Sequence, residues 1–352
     1  MFRAVSPSGR VGRMRLLVLG GTEFVGRAVV EGALGRGWEV TVFHRGRHEA
    51  PDGVKALHGD RTAEGGLAAL EGDGEWDAVV DTWSGAPGAV RGTARLLRDR
   101  VGRYVYVSSC SVYAWAPPAG YTEDAPVVAA SPDAGEGGYA EDKRGGELAV
   151  LDAFGPERSV LARAGLIIGR YENVGRLPWW LNRTARGGPV LAPGPRDLPL
   201  QYIDVRDLAN WLLHAAEGDF GGPYNLISPS GHATMGTLLE ACAAVTGGGA
   251  DLRWTDPDLI LTHGIEPWTQ LPVWVPPGSD LHDALHSADV SRALATGLRC
   301  RPVEETVADA WAWLRSLGGV APLRPDRAGK GVDPEVEARV LAARDGVPGT
   351  TP

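Results

Sequence analysis

Cysteine is scarce in this chain and scattered: Cys110, Cys242 and Cys300 lie far apart in 352 residues. Their spacing fits neither a disulfide framework nor a zinc site, so all three are expected to be small core residues. The eight histidines show no metal-ligand clustering either, and no metal is expected. No apolar run approaches the ~20 residues of a membrane span. The opening MFRAVSPSGRVGRM lacks the apolar centre of a signal peptide. There is no basic block and the net charge is −9, which argues against nucleic acid as a partner. No internal repeat is present. The expectation that remains is a soluble cytoplasmic protein. Its 352 residues are enough for one large or two modest domains, and its 43% of hydrophobic residues for a sizeable core.

The chain is organised around Arg15 to Arg47, RLLVLGGTEFVGRAVVEGALGRGWEVTVFHRGR. Leu16 to Leu19 is an apolar run of buried-strand type, ended by Gly20 and Gly21. Phe24, Val25, Val29, Val30 and Leu34 follow at helical spacing, and Val40 to Phe43 is a second apolar run. Strand, glycine turn, helix and strand within about 30 residues suit a nucleotide diphosphate. Glycines let the backbone come close, and the N–H groups at the helix start face the phosphates. Gly20 and Gly26 fit the outer positions of the three-glycine fingerprint, while Glu23 stands at the middle one. A carboxylate there would repel a pyrophosphate, so Glu23 is expected to point outward, toward Arg45 or Arg47.

Further strands are expected at 54–58, 78–80, 104–107 and 159–162, alternating with helices at 67–70, 89–97 and 139–151. Such alternation implies right-handed crossovers and a parallel sheet covered by helices on both faces. Past residue 169 the pattern loosens, with helices expected at 177–185, 207–216, 238–245 and 303–317 and a strand at 201–205. The fold class is therefore α/β, a doubly wound Rossmann-type sheet with a smaller lobe interleaved in sequence. The cofactor domain is assigned to 14–168, with 201–224 and 291–317 returning to it. The substrate lobe is assigned to 169–200 and 225–290. Residues 1–13 are expected to be a flexible extension and 324–352 a mobile tail.

Tyr139-Ala-Glu-Asp-Lys143 places a phenol and an ammonium on one helical face. A nearby ammonium favours the phenolate and should bring the tyrosine pKa toward neutrality, where it can trade a proton with an alcohol or carbonyl oxygen. Ser108-Ser109-Cys110-Ser111-Val112-Tyr113 ends the fifth strand, at the edge of an open sheet where ligand crevices lie.

These motifs resemble the extended short-chain dehydrogenase/reductase superfamily, often labelled epimerase/dehydratase. GGTEFVG, Gly59-Asp60, VSSCSVY, YAEDK and QYIDVRDLA stand in that family's order, and CRPVEETVADAWAWL resembles its C-terminal helix. The resemblance covers Arg15 to Leu317. It implies Tyr139 as acid/base, Lys143 as the group that lowers its pKa and holds the nicotinamide ribose, and Ser109 as the catalytic serine, with Ser111 as second choice. It also implies a cofactor cradle of Gly20, Thr22, Glu23, Phe24, Val25 and Gly26, with Thr82 nearby and Asp60 and Arg61 near the adenine.

NAD-binding members end the second strand with a carboxylate. Here His44, Arg45, Gly46 and Arg47 stand there, and two guanidiniums could clamp a 2′-phosphate. NADPH/NADP is therefore expected ahead of NAD. Nucleotide-sugar members usually carry an arginine where this chain has Leu200, and an asparagine soon after the arginine that corresponds to Arg163. Both departures point away from a diphosphate-linked sugar, although Arg170, Arg183, Arg186 and Arg196 could substitute. Among twelve tryptophans, Trp83, Trp115, Trp179 and Trp180 are expected to wall an aromatic pocket.

The reading that follows is NADPH-dependent reduction of a C=O or C=N bond in an apolar small molecule, with Tyr139 as proton donor. The alternative is a nucleotide-sugar epimerase or dehydratase. A third reading is a non-enzyme, either cofactor-sensing or RNA-binding, since GGT-x-F-x-G with a basic second-strand end also resembles chloroplast stem-loop RNA-binding proteins. A homodimer is compatible with all three.

Overall fold

A computed structural model describes residues 13–72, 74–325, 329 and 331–346. Apart from Arg13, the expected N-terminal extension lies outside the described residues. The strands are β1 Arg15–Leu19, β2 Glu39–His44, β3 Lys55–His58, β4 Trp76–Asp81, β5 Val101–Ser109, β6 Ser159–Ala164, β7 Ile167–Ile168, β8 Gly188–Pro193, β9 Pro199–Leu200, β10 Ile203–Asp204, β11 Gly222–Leu226, β12 Ala233–Thr234 and β13 Ala250–Thr255. The helices are α1 Phe24–Gly35, α2 Pro87–Leu97, α3 Tyr139–Arg158, α4 Arg176–Ala185, α5 Val205–Glu217, α6 Met235–Thr246, α7 Pro257–Thr262, α8 Asp280–His286, α9 Ser291–Ala295, α10 Val303–Ser316 and α11 Pro334–Arg344.

Seven strands form one parallel sheet in the order β11-β6-β5-β4-β1-β2-β3. The order reverses between β1 and β4, which opens the crevice of a doubly wound sheet at their carboxyl ends. The apolar runs are continuous because both faces are buried. Leu16 and Val18 of β1 face a cluster with α1 and α5, while Leu17 and Leu19 face the opposite cluster with α2 and α3. This is the two-residue alternation of a strand.

A second core is built on Trp180, Leu181, Val190, Leu191, Leu238, Leu239 and Trp274, around the parallel pair β8–β13. Helix α10 joins this core instead of returning to the first one. Its Val303, Val307, Ala310 and Leu314 recur at helical spacing and pack against α4 and α6.

Two other expectations are corrected. The strand expected over 201–205 shrinks to Ile203–Asp204, paired only with Ile167–Ile168. Gln201 is held by side-chain bonds instead. Its amide donates to the Ser228 and Ala288 carbonyls, and its carbonyl oxygen accepts from the Ala288 N–H. Asp204 then caps α5 by accepting from the Arg206 N–H. Within 324–352, expected to be a mobile tail, the described part contains α11, capped by Asp333. It docks on the second core through buried Val332 and Val340 and through Glu337, which accepts from Arg183 Nε at 2.8 Å and from the Leu191 N–H at 3.1 Å. Composition misled there because one buried ion pair and two valines anchor an otherwise polar segment.

Among the described residues, no helix is long and apolar enough to cross a membrane, and no group of His, Cys, Asp or Glu could hold a metal ion.

Candidate active site

The glycine turn between β1 and α1 leaves space for a ligand because side chains are excluded from it. Gly20 has φ +93, and a Cβ there would lie 2.6 Å from Thr82 Oγ1. At Gly26 a Cβ would lie 2.0 Å from the Gly20 carbonyl oxygen, which is backbone and cannot yield. Thr82 donates to the Leu19 carbonyl at 3.0 Å and so ties β4 to the turn. Half-buried Thr22 precedes the helix start, Phe24 adopts φ +33, and buried Val25 packs into the core beneath.

Glu23 is the N-cap residue of α1, but its carboxylate makes no capping bond. It does not turn to Arg45 or Arg47. Its Oε1 lies 3.4 Å from Asn173 Nδ2 and 3.5 Å from His48 Nε2. The first-turn N–H groups of α1 are thus not capped by their own side chain, which is the condition for anion binding at a helix start. A dinucleotide fits this cradle.

Around the ends of β2 and β3, Arg45 and Arg47 are exposed and His44 is buried. His44 Nδ1 accepts from the Gly46 N–H at 3.3 Å. That leaves Nε2 as the protonated nitrogen of the neutral ring, and Nε2 has no partner among the described residues. Burial, then the neighbouring His58, holds the His44 pKa below its ordinary value. Asp60 is held below the usual carboxylate range mainly by bonds from Thr62, with the charges of Arg45 and Arg47 adding to them. Arg61 does not extend toward a ligand. Its guanidinium grips Asp81 in a two-bond fork at 2.6 and 2.7 Å and also donates to Thr93 and the Ala89 carbonyl. Burial opposes ionisation of Asp81, but the charge and bonds of Arg61, with bonds from Tyr104 and the Trp83 N–H, outweigh it and keep Asp81 ionised.

Helix α3 begins at Tyr139 with Glu141 and Asp142 in its first turn, where carboxylates suit the helix dipole. Asp142 Oδ1 accepts from the Gly137 N–H at 3.0 Å and fixes the entry. Gly145 and Gly146 then let the helix lie against α2 and β5. A Cβ at Gly146 would meet Tyr106 Oη at 2.4 Å, and one at Gly145 would meet the Ser131 carbonyl at 2.6 Å. This close approach carries Lys143 to the strand ends. Its ammonium is buried and donates to the carbonyls of Trp83 and Val107. Burial, opposed by Asp81 and reinforced by Arg324, lowers the Lys143 pKa to about 7. Tyr139, one turn earlier, is 45% exposed at the helix start.

Ser109 Oγ accepts from the Ser111 N–H and lies 3.1 Å from Ser111 Oγ. Ser109 is buried and Ser111 exposed. Beneath them a buried network joins β5, α3 and β6. Glu147 accepts from Ser108 Oγ at 2.7 Å, Arg144 Nη1 at 2.7 Å, and Arg163 Nε and Nη2 at 2.9 and 3.0 Å. Burial alone would raise the Glu147 carboxyl, but the bonds and charge of Arg163, with bonds from Ser108 and Arg144, hold it below the usual range. The sequence reading missed Glu147, although its spacing of four from Lys143 puts it on the same helical face.

The tryptophans divide. Trp83 sits at the site, its carbonyl on Lys143 and its indole N–H on the Ala86 carbonyl. Trp115 is 67% exposed. Trp180 is fully buried in the second core, donating to the Pro272 carbonyl, and Trp179 packs edge-on against it. Both belong to lobe packing, because α4 turns its apolar face inward.

Three of the arginines offered above as diphosphate ligands are paired elsewhere. Arg170 pairs with Glu31 and Asp309, Arg183 with Glu337, and Arg196 with Glu240 on the surface. Leu200 is buried in the second core.

The model of the NAD dependent epimerase/dehydratase family matches residues 16–226, more than half of the chain. None of the curated proteins matches the sequence. Among solved structures, the Bordetella bronchiseptica enzyme WbmH in complex with NAD+ is similar, with a TM-score of 0.64 at 18% identity over 87% of this chain and 100% of that one. The B. bronchiseptica enzyme WbmG in complex with NAD and UDP gives 0.63 at 18% identity over 90% and 98%. A UDP-N-acetylglucosamine 4-epimerase from Methanobrevibacter ruminantium M1, in complex with UDP-N-acetylmuramic acid, gives 0.63 at 18% identity over 87% and 100%.

Proposed function

Because the chain belongs to the NAD dependent epimerase/dehydratase family, we propose that it epimerises or dehydrates a nucleotide sugar with a nicotinamide dinucleotide that is regenerated within each turnover. What supports this is that Lys143 is held by the carbonyls of Trp83 and Val107 at the ends of β4 and β5, that Ser109 ends β5, that Tyr139 begins α3 one turn before Lys143, and that the glycine turn follows β1 in the same sheet. The dinucleotide, when bound, supplies the hydride acceptor and donor. Tyr139 takes the proton of a sugar hydroxyl at its phenol oxygen and later returns it. Lys143, fixed by two carbonyls, sets the electrostatics of that phenol and reaches toward the cofactor ribose. The Ser109 and Ser111 hydroxyls hold the oxygen that becomes a carbonyl. The sugar-nucleotide substrate is supported by relatives of the same fold solved with UDP or a UDP-sugar.

The sequence-based preference for a reductase of apolar carbonyls or imines becomes the second reading. Buried Leu200, in place of a diphosphate arginine, and a second-strand end without a carboxylate favour it. That strand end also supports NADP(H) over NAD(H), with Arg45 and Arg47 exposed beside the His44 Nε2 donor, although the similar structures carry NAD.

Stoichiometry separates the readings. Purified protein is incubated with UDP-glucose or UDP-N-acetylglucosamine and either cofactor, with products followed by NMR and cofactor by absorbance. The proposal expects a changed sugar with no net cofactor change. One NADPH consumed per product, on an apolar carbonyl panel and not on sugars, would establish the reductase instead. Tyr139→Phe should retain cofactor binding and lose turnover by ~10²–10⁴-fold; full turnover in that variant would remove Tyr139 from the chemistry.

A further inference from the structure

Glu23 stands where the three-glycine turn has its middle glycine, the position kept free of a side chain so that a pyrophosphate can come close. The backbone does not require glycine there. Glu23 has φ −133 and ψ 155, extended values that any residue adopts. The difference lies in the side chain. Glu23 is the N-cap of α1 and its carbonyl accepts from the Arg27 N–H at 3.1 Å. The carboxylate is therefore tethered within a side-chain length of the uncapped first-turn N–H groups. Its Oε1 lies 3.4 Å from Nδ2 of buried Asn173, in the loop between β7 and α4, and 3.5 Å from Nε2 of exposed His48, in the loop after β2. Neither contact cancels the charge, because an amide is neutral and an imidazole is charged only when protonated. Arg27, one turn on, is engaged elsewhere: its Nε donates to Glu31 at 3.1 Å and its guanidinium lies 4.5 Å from the centre of the Tyr171 ring.

We propose that Glu23 makes the dinucleotide a loosely held cofactor that exchanges with solution. The proposal rests on the dinucleotide reading above. A pyrophosphate entering the cradle gains the first-turn N–H groups but sets its negative charge against a carboxylate that the chain ties to the same turn. Half exposure of the Glu23 side chain lets water screen this repulsion without abolishing it. The repulsion raises the free energy of the bound state and leaves the empty state untouched, so affinity falls and the dinucleotide leaves sooner. Glu23 takes no part in the proton or hydride steps. Its effect is on occupancy: even if the cofactor is regenerated within each turnover, activity depends on dinucleotide supplied in solution and not on a molecule carried through purification.

The test titrates NADH and NADPH into the unmutated full chain, Glu23→Gln and Glu23→Gly, at low and at high ionic strength. Glu39→Gln, an exposed carboxylate at the opposite end of β2, serves as control. Gln keeps the length of the side chain and removes its charge; Gly restores the fingerprint residue and is accepted at an N-cap. Both Glu23 variants should bind the two dinucleotides about tenfold more tightly at low salt, with most of that gain lost at high salt. Glu39→Gln should bind as the unmutated chain does. Equal or weaker binding by Glu23→Gln overturns the proposal while leaving the dinucleotide reading intact. So does a gain confined to Glu23→Gly, which would assign the effect to bulk, or a gain that salt does not change. Binding seen only in the Glu23 variants supports both the proposal and the dinucleotide reading. Binding by none of the four proteins removes the dinucleotide reading and the proposal with it.

Discussion

Removal of one partner from the Glu147–Arg163 pair should destabilise the protein far more than removal of both. Glu147 is fully buried and Arg163 nearly so, joined by two bonds at 2.9 and 3.0 Å. Glu147→Leu strands a guanidinium whose remaining acceptors are Tyr113 Oη at 3.1 Å and the Glu123 carbonyl at 3.0 Å. Arg163→Met strands a carboxylate with Ser108 and Arg144 as its remaining donors. Each single change is expected to cost about 3–5 kcal/mol, the range for a buried ion left without its partner. The double variant removes both charges, recovers their desolvation, and should cost less than the sum by at least ~2 kcal/mol. Urea denaturation of the four proteins at one temperature measures this, provided the slope with denaturant stays constant. Additivity within ~0.5 kcal/mol would refute the reasoning, because it would mean that the two charges do not depend on each other. Since Ser108 adjoins Ser109, turnover measured on the folded fraction reports whether the same network holds the strand end that carries the candidate serine.

Gly26→Ala pushes a Cβ into the Gly20 carbonyl at 2.0 Å and should cost about 1–3 kcal/mol and dinucleotide affinity with it. Gly35→Ala, whose Cβ meets nothing within 4 Å, should be neutral or stabilising by up to ~1 kcal/mol; unchanged cofactor affinity in Gly26→Ala would count against the cradle. Lys143 predicts a pH dependence. Its folded pKa of about 7 lies below the ordinary 10.5, so above pH 7 the unfolded chain binds more protons and stability rises with pH. Buried Cys242 and the half-buried Cys110 and Cys300, with pKa values pushed up mainly by desolvation, act in the opposite sense above about pH 8.5. The rise is therefore sought between pH 7 and about 8.5 in the unliganded protein, and Lys143→Met should flatten it. The same slope in the variant would mean that the ammonium is not the group responsible.

The sequence by itself determined the sheet and the candidate triad. Two-sided burial writes strands as unbroken apolar runs, and a glycine turn closing on a helix start leaves residues that nothing else requires. Tyr139, Lys143 and Ser109 stand out as candidates because local spacing puts two of them on one helical face and the third at a strand end. Tertiary structure decided what depends on partners distant in sequence. Arg61 reads as a cofactor ligand until β4 delivers Asp81 to it, twenty residues away. Trp180 reads as a pocket wall until α4 turns it into the second core. The polar stretch after Leu317 reads as loose until Glu337 meets Arg183, 154 residues earlier, and its Arg324 reaches Asn173. Hydrophobic periodicity records which face of an element is buried. It carries no record of which charged groups meet across the fold, since a polar residue looks alike in sequence whether it faces water or a buried partner.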